Sequence, residues 1–372
     1  MNIDIPLKEM SNTNINDVRS APEFKGVSFS KYKKTDARNQ LIGNIQKGKI
    51  EPACYWCAEL ICAGHYTDIW ETILYYVGKH IHLGNPKIVI YIEKRFDIFR
   101  NIAAQGHYIH EIELRNNNTI RQLFAEIIST LILSNKKHTF ETIKINREEE
   151  FDMTQMTERL KAPSMKYAEP IMKKGDPKEL FIAINEFSYY ISSDGINMLS
   201  ASYWIEWIVE FDAICKKRNE ACLCEKRSYV NVETKYQRDI IWILWDALFH
   251  YCEILNNTYI ENLLKSTFNI FCIKYTTASC RKRRYLLYFA VALLTEPVPI
   301  HIDVMPNKNM VKTVVSKIDE IYKQIKKNEE SPNTEYLFAN LEKKQNFEKS
   351  LQKMEMINSM NFMSVPQKNE EK

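Results

Sequence analysis

Glycine is the scarcest common residue in this chain, 9 in 372 positions. Sheet-rich folds and phosphate-cradling loops use glycine at turns and at close backbone approaches. So few glycines favour helices joined by short polar loops. The signatures of several enzyme classes are missing. There is no Gly-x4-Gly-Lys-Ser/Thr loop, no Gly-x-Gly-x-x-Gly, no Gly-x-Ser-x-Gly elbow and no His-Glu-x-x-His helix. The chain therefore reads as a non-enzyme without a cofactor. No uninterrupted apolar run reaches the roughly 18 residues of a membrane-spanning helix. Met1-Asn2-Ile3-Asp4-Ile5-Pro6 is not a secretory leader, and the 9 cysteines are odd in number. These features predict a soluble protein with free thiols in a reducing compartment, away from membranes. Formal net charge is only +4, short of the strong basic bias of a dedicated nucleic-acid binder.

What is present is ordinary for a globular chain: 45 % hydrophobic, 26 % charged and 12 % aromatic residues. The pattern predicts an all-α fold of antiparallel helical hairpins in two packed blocks. Residues 1–40 are expected to be flexible, 41–145 to form block 1, 146–176 a linker and 177–332 block 2, with a partly helical or disordered tail at 333–372. Glu51-Pro52 opens a helix and Gly64 closes it. Asp68 with Glu71, and Thr119 with Gln122, read as capping boxes. Ile88-Val89-Ile90-Tyr91-Ile92 is β-branched enough for a strand, with a more helical continuation to Gly106. Glu148-Glu149-Glu150, Pro163, Pro170 and Gly175 mark the linker, where Asp152 with Gln155 caps a short helix. Asp176-Pro177-Lys178-Glu179 is the cleanest helix start, and Thr258 with Glu261 caps a later helix. Trp242 and Trp245 share one apolar face. In the tail, Phe347, Leu351, Met354 and Ile357 recur at helical spacing.

Two readings compete for Cys54, Cys57, Cys62 and His65. Their spacing suggests zinc. As a straight helix, however, the segment lets Cys54 and Cys57 share a metal but carries Cys62 about 12 Å further along the axis, at 1.5 Å rise per residue. Cysteine on a helix face is commonly a small buried hydrophobe, and the core reading is preferred. Ala201-Ser202-Tyr203-Trp204-Ile205-Glu206-Trp207 repeats the aromatic pair of Tyr55-Trp56 without cysteine, which points to a hairpin used twice. Cys215, Cys222 and Cys224 form a weaker metal set with no histidine nearby.

The basic clusters are Lys216, Lys217 and Arg218; Lys226 and Arg227; and Arg281, Lys282, Arg283 and Arg284. The last opens a helix, where cations oppose the macrodipole by about 0.3–1 kcal/mol each. Such a cost is accepted when the charge is needed elsewhere, for phosphate or an acidic protein face. The competing reading is a solvated face balanced by Glu220, Glu225 and Glu233. His107 and His110 with Glu111 and Glu113 are the remaining candidates for chemistry.

Ala53-x-Tyr55-Trp56-x-Ala58, Ala63-Gly64 and Ile81-x-Leu83-Gly84-Asn85-Pro86 resemble the helical region beyond the ATPase core of replication-associated recombination ATPases, relatives of clamp loaders. His65-Tyr66 stands where that family has acidic residues, and the nucleotide motifs are absent, so ATPase activity does not carry over. Segments 151–156, 176–187 and 321–333 resemble uncharacterised proteins of large nucleocytoplasmic DNA viruses. That resemblance implies a viral protein acting in the host cytoplasm or its viral factory, with the host nucleus as the alternative. The resulting expectation is a non-catalytic helical scaffold that binds viral replication or transcription components. The alternative is DNA or RNA binding through the basic clusters, and the third is an enzyme around His107–Glu113.

Overall fold

The computed structural model describes residues 13–105, 108, 110–147, 151, 157–220, 222–330 and 355. The tail stripe at Phe347, Leu351, Met354 and Ile357, the acidic run 148–150, the Asp152–Gln155 cap and His107 lie outside them. The chain divides into two units, 20–328 with 1–15, and 16–19 with 329–372. In the second, the Asp17 carboxylate accepts from Arg19 N, Nε and Nη2 and from Glu330 N.

The first unit is all-α. Among the described residues it holds thirteen α-helices and no strand. They are α1 Lys34–Gln46, α2 Ile50–Cys62, α3 Tyr66–Tyr76, α4 Ile88–Gln105, α5 Asn118–Leu133, α6 Phe181–Ile191 and α7 Met198–Lys217. There follow α8 Ile241–Leu255, α9 Thr258–Phe271, α10 Thr277–Lys282, α11 Arg284–Thr295, α12 Lys308–Ser316 and α13 Ile318–Lys326.

Hairpins are set by short turn chemistry. Gly48 (φ +71°) turns α1 into α2, and Gly64 (φ +76°) ends α2, the left-handed position that favours glycine after a helix. Asn256 takes the same conformation (φ +49°) after α8, and Asn257 Oδ1 then accepts from Tyr259 N and Ile260 N to cap α9. Asn257→Ala is expected to cost about 1 kcal/mol, read as a lower urea midpoint at unchanged m-value. The cap is thus one residue ahead of the expected Thr258. Asn117 likewise caps α5 through Ile120 N, ahead of Thr119.

The helix α11 holds the first unit together. Nine of its twelve residues, Tyr285 to Leu293, are buried. A helix apolar on every side must be surrounded. It packs on α7, α8 and α9, and also on α3 and the π-turn Val77–Ile81. A Cβ at Gly78 would stand 2.8 Å from the Tyr285 carbonyl carbon, so only glycine lets these backbones approach. The helices expected on either side of 146–176 therefore lie in one unit with one continuous core. The segment 157–176 is laced onto α6. Glu186 accepts from Lys161 N and Ala162 N, and Asn185 accepts from Tyr167 N and Ala168 N.

Residues 88–92 are not a strand. Ile88, Val89 and Ile92 are buried at helical spacing at the start of α4. The repeated aromatic pair falls both times on the second helix of a hairpin, α1–α2 and α6–α7. Its settings differ. Trp56 is half-buried against Tyr32, whereas Trp204 is fully buried against Trp207.

Candidate functional site

Folding divides the basic clusters into internal and external groups. The Arg227 side chain is wholly buried. Its Nη1 and Nη2 bind Asp176 Oδ1 and Oδ2 at 2.6 and 2.7 Å, and its Nε binds Asp246 Oδ2 at 2.6 Å. Asp176, expected as a helix cap, is instead the carboxylate of this pair. Arg283 is also buried; its Nη2 lies 2.5 Å from Glu71 Oε1, and its Nη1 donates to the Phe271 carbonyl. Arg227 and Arg283 are thus removed from the proposed contact surface, because neither side chain can reach a partner. Arg284 binds Glu206 at 2.8 Å, Arg281 binds Glu210 at 3.2 Å, and Lys216 binds Asp212. Lys217, Arg218, Lys226 and Lys282 remain exposed.

The cysteine segment lies on an unbroken helix. Cys54 and Cys57 are buried, facing Arg121 and Phe124 of α5 and Ile318 and Tyr322 of α13. Burial pushes the Cys54 thiol up to about 12. His65 Nε2 bonds the Val27 carbonyl at 2.6 Å instead of joining them. Cys224 donates its thiol to the Asp239 carbonyl. No group of three metal-type side chains converges among the described residues. Of the histidine candidates, His110 is exposed and its neighbour Glu111 binds Lys274 at 2.7 Å.

Two of the recesses among the described residues are lined largely by apolar side chains. The first is a 280 Å³ cleft between α7, the segment 239–241 and the segment 275–281. Ile208, Val209 and Ile241 form its apolar wall, and Asp212, Lys216 and Arg281 also line it. The buried Asp239 takes two hydroxyl donors on Oδ2, from Thr277 at 2.7 Å and Tyr275 at 3.0 Å. Burial raises its pKa above the ordinary carboxylate value, against those two hydrogen bonds. The second recess is a 580 Å³ groove between the segment 166–170, the 191–196 turn and the C-terminal half of α8. Ile196, Ile254 and Leu255 line it at 54, 63 and 47 % exposure.

Sequence reasoning missed both recesses. Asp239 did carry a signal, an aspartate just ahead of an apolar helical run, which reads as a cap. In the fold it caps nothing: α8 begins after Ile240 without a side-chain cap. The groove residues carry no signal, since exposed and buried isoleucines are identical in sequence. No protein-family model, curated protein or solved structure matches the chain.

Proposed function

We propose that this chain is a non-catalytic helical binding protein that docks a partner protein in the groove at Ile196, Ile254 and Leu255. One observation carries the reading. Three large apolar side chains, Ile196, Ile254 and Leu255, are about half exposed around one recess. Apolar residues exposed singly are ordinary, but a contiguous group marks an interaction surface. A groove beside a helix end suits the apolar face of an amphipathic helix. The similarity of 151–156, 176–187 and 321–333 to proteins of large DNA viruses supports taking the partner from a viral replication or transcription apparatus. The nucleic-acid reading is weakened, because five of the nine candidate cations are spent on carboxylates of the chain itself.

A photo-crosslinker at Leu255 should capture one viral replication or transcription component in infected cells. The same group at the exposed Lys94 on α4 should not, and Ile254→Asp should abolish capture without changing Tm. Equal capture from both positions, or survival of capture in the Ile254→Asp variant, would refute the groove. Charge reversal at Lys217, Arg218, Lys226 and Lys282 tests the other reading. A fall in the salt dependence of DNA or RNA retention would favour nucleic-acid contact over the groove.

A further inference from the structure

The carboxylates around the first cleft are paired, with one exception. Glu206 has Arg284, Glu210 has both Arg147 (2.6 Å) and Arg281, and Asp212 has Lys216. Asp239 is buried in the cleft wall and its side chain is hydrogen-bonded only by the neutral hydroxyls of Tyr275 and Thr277. Both hydroxyls use Oδ2, and Asp239 lines the cleft, which leaves Oδ1 as its remaining acceptor there. A carboxylate in a largely desolvated wall, with no ion pair of its own and only the positive charge of Lys216 (paired to Asp212) acting on it, is a strong acceptor for a cation.

The geometry selects among cations. One free oxygen suits a point-like ammonium, whereas a guanidinium fork uses both carboxylate oxygens. The wall of Ile208, Val209 and Ile241 suits an aliphatic stem. A volume of 280 Å³ is below the range of roughly 300–1,000 Å³ of drug-sized sites. An anion is disfavoured, because Lys216 and Arg281 are already bound to Asp212 and Glu210. We propose that this cleft binds a primary ammonium group on a short aliphatic stem, with Asp239 Oδ1 as its acceptor. The group could belong to a free amine or to a lysine side chain; the chemistry recognised is the same.

The test uses the full chain with labelled isoleucine methyl groups and titrates n-pentylammonium against pentan-1-ol by NMR. Shifts are expected at Ile208, Ile240 and Ile241, with ammonium bound about tenfold or more tightly than alcohol. Asp239→Asn keeps an acceptor for Tyr275 and Thr277, and should remove that preference while leaving alcohol binding unchanged. Lys216→Met removes the nearest competing ammonium and should strengthen amine binding a few-fold. Ala213→Leu narrows the cleft and should weaken both probes. Nα-acetyl-lysine methylamide binding more tightly than pentylammonium assigns the group to a protein chain, and weaker binding assigns it to a free amine. Equal affinity for ammonium and alcohol, or an Asp239→Asn variant that is folded and binds amine as before, would overturn the site.

Discussion

Arg227→Met is expected to lower the free energy of unfolding by about 3–5 kcal/mol, the usual result of removing one partner from a buried ion pair. The side chain is wholly buried, and it links Asp176, Asp246 and the Glu225 carbonyl. Burial pushes Asp176 up, but Arg227 and the backbone N–H groups of Lys173 and Glu225 outweigh it and hold that carboxyl below its usual value. Without Arg227, Asp176 keeps only the two backbone donors, and Asp246 keeps the Tyr229 hydroxyl at 2.5 Å. The loss therefore comes mainly from stranding charge in the interior. Asp176→Asn should rescue part of it, since an amide is cheaper to bury than an unpaired carboxylate. The double variant should be more stable than the sum of the single losses predicts, with a coupling of about 0.5–3 kcal/mol. Urea unfolding of the four proteins measures this. A loss below about 1 kcal/mol for Arg227→Met would mean that the guanidinium is solvated.

That pair also shows where sequence reading stops. Local punctuation marked some helix ends: Gly64 sits in the left-handed turn that closes α2, whereas α1 begins at Lys34, inside the segment expected to be flexible. Apolar spacing found the Trp242–Trp245 face, now packed on Phe268 and Phe271. The failures come from residues whose partners are distant in the chain. Asp68, Glu71 and Asp176 have the composition of caps, yet they bind Lys34, Arg283 and Arg227. Glu71 and Arg283 are 212 residues apart, and nothing near either one announces the other. The strand expected at 88–92 failed for a related reason. A short apolar run looks the same whether it is buried in a sheet or in a helix, and only its neighbours decide. The candidate sites were hardest to read. They depend on which apolar side chains stay uncovered and which carboxylate is left without a cation, and both are properties of the finished packing.

His82 illustrates the same dependence, with a consequence for acid stability. Its side chain is fully buried and stacked on Phe140 with ring centroids 3.9 Å apart. Nε2 donates to the His138 carbonyl at 2.7 Å, while Nδ1 is buried without a partner. A proton on Nδ1 would put a cation in the core with no acceptor, near Lys137, His138 and His80. Burial accordingly lowers the His82 pKa from 6.5 to about 4. The unfolded chain takes this proton near pH 6.5 and the folded chain near 4. Between those values the unfolded state holds more protons, so stability rises with pH. His82 should therefore destabilise the fold progressively as pH falls from 6.5 to 4, by up to about 3 kcal/mol at 1.36 kcal/mol per pKa unit. His80 is also lowered to about 4, but it is partly solvated and adds less. Position 82 has φ +30° and ψ −118°, outside the left-handed helical region, and asparagine is among the non-glycine residues enriched at positive φ. His82→Asn should cost stability at pH 7.5 through the lost Phe140 stacking, yet remove most of the decline between pH 6.5 and 4. Comparing the slopes of the two proteins cancels groups that titrate alike in both. An unchanged slope in the variant, or an NMR titration of His82 near pH 6.5, would show that its ring is hydrated in the fold.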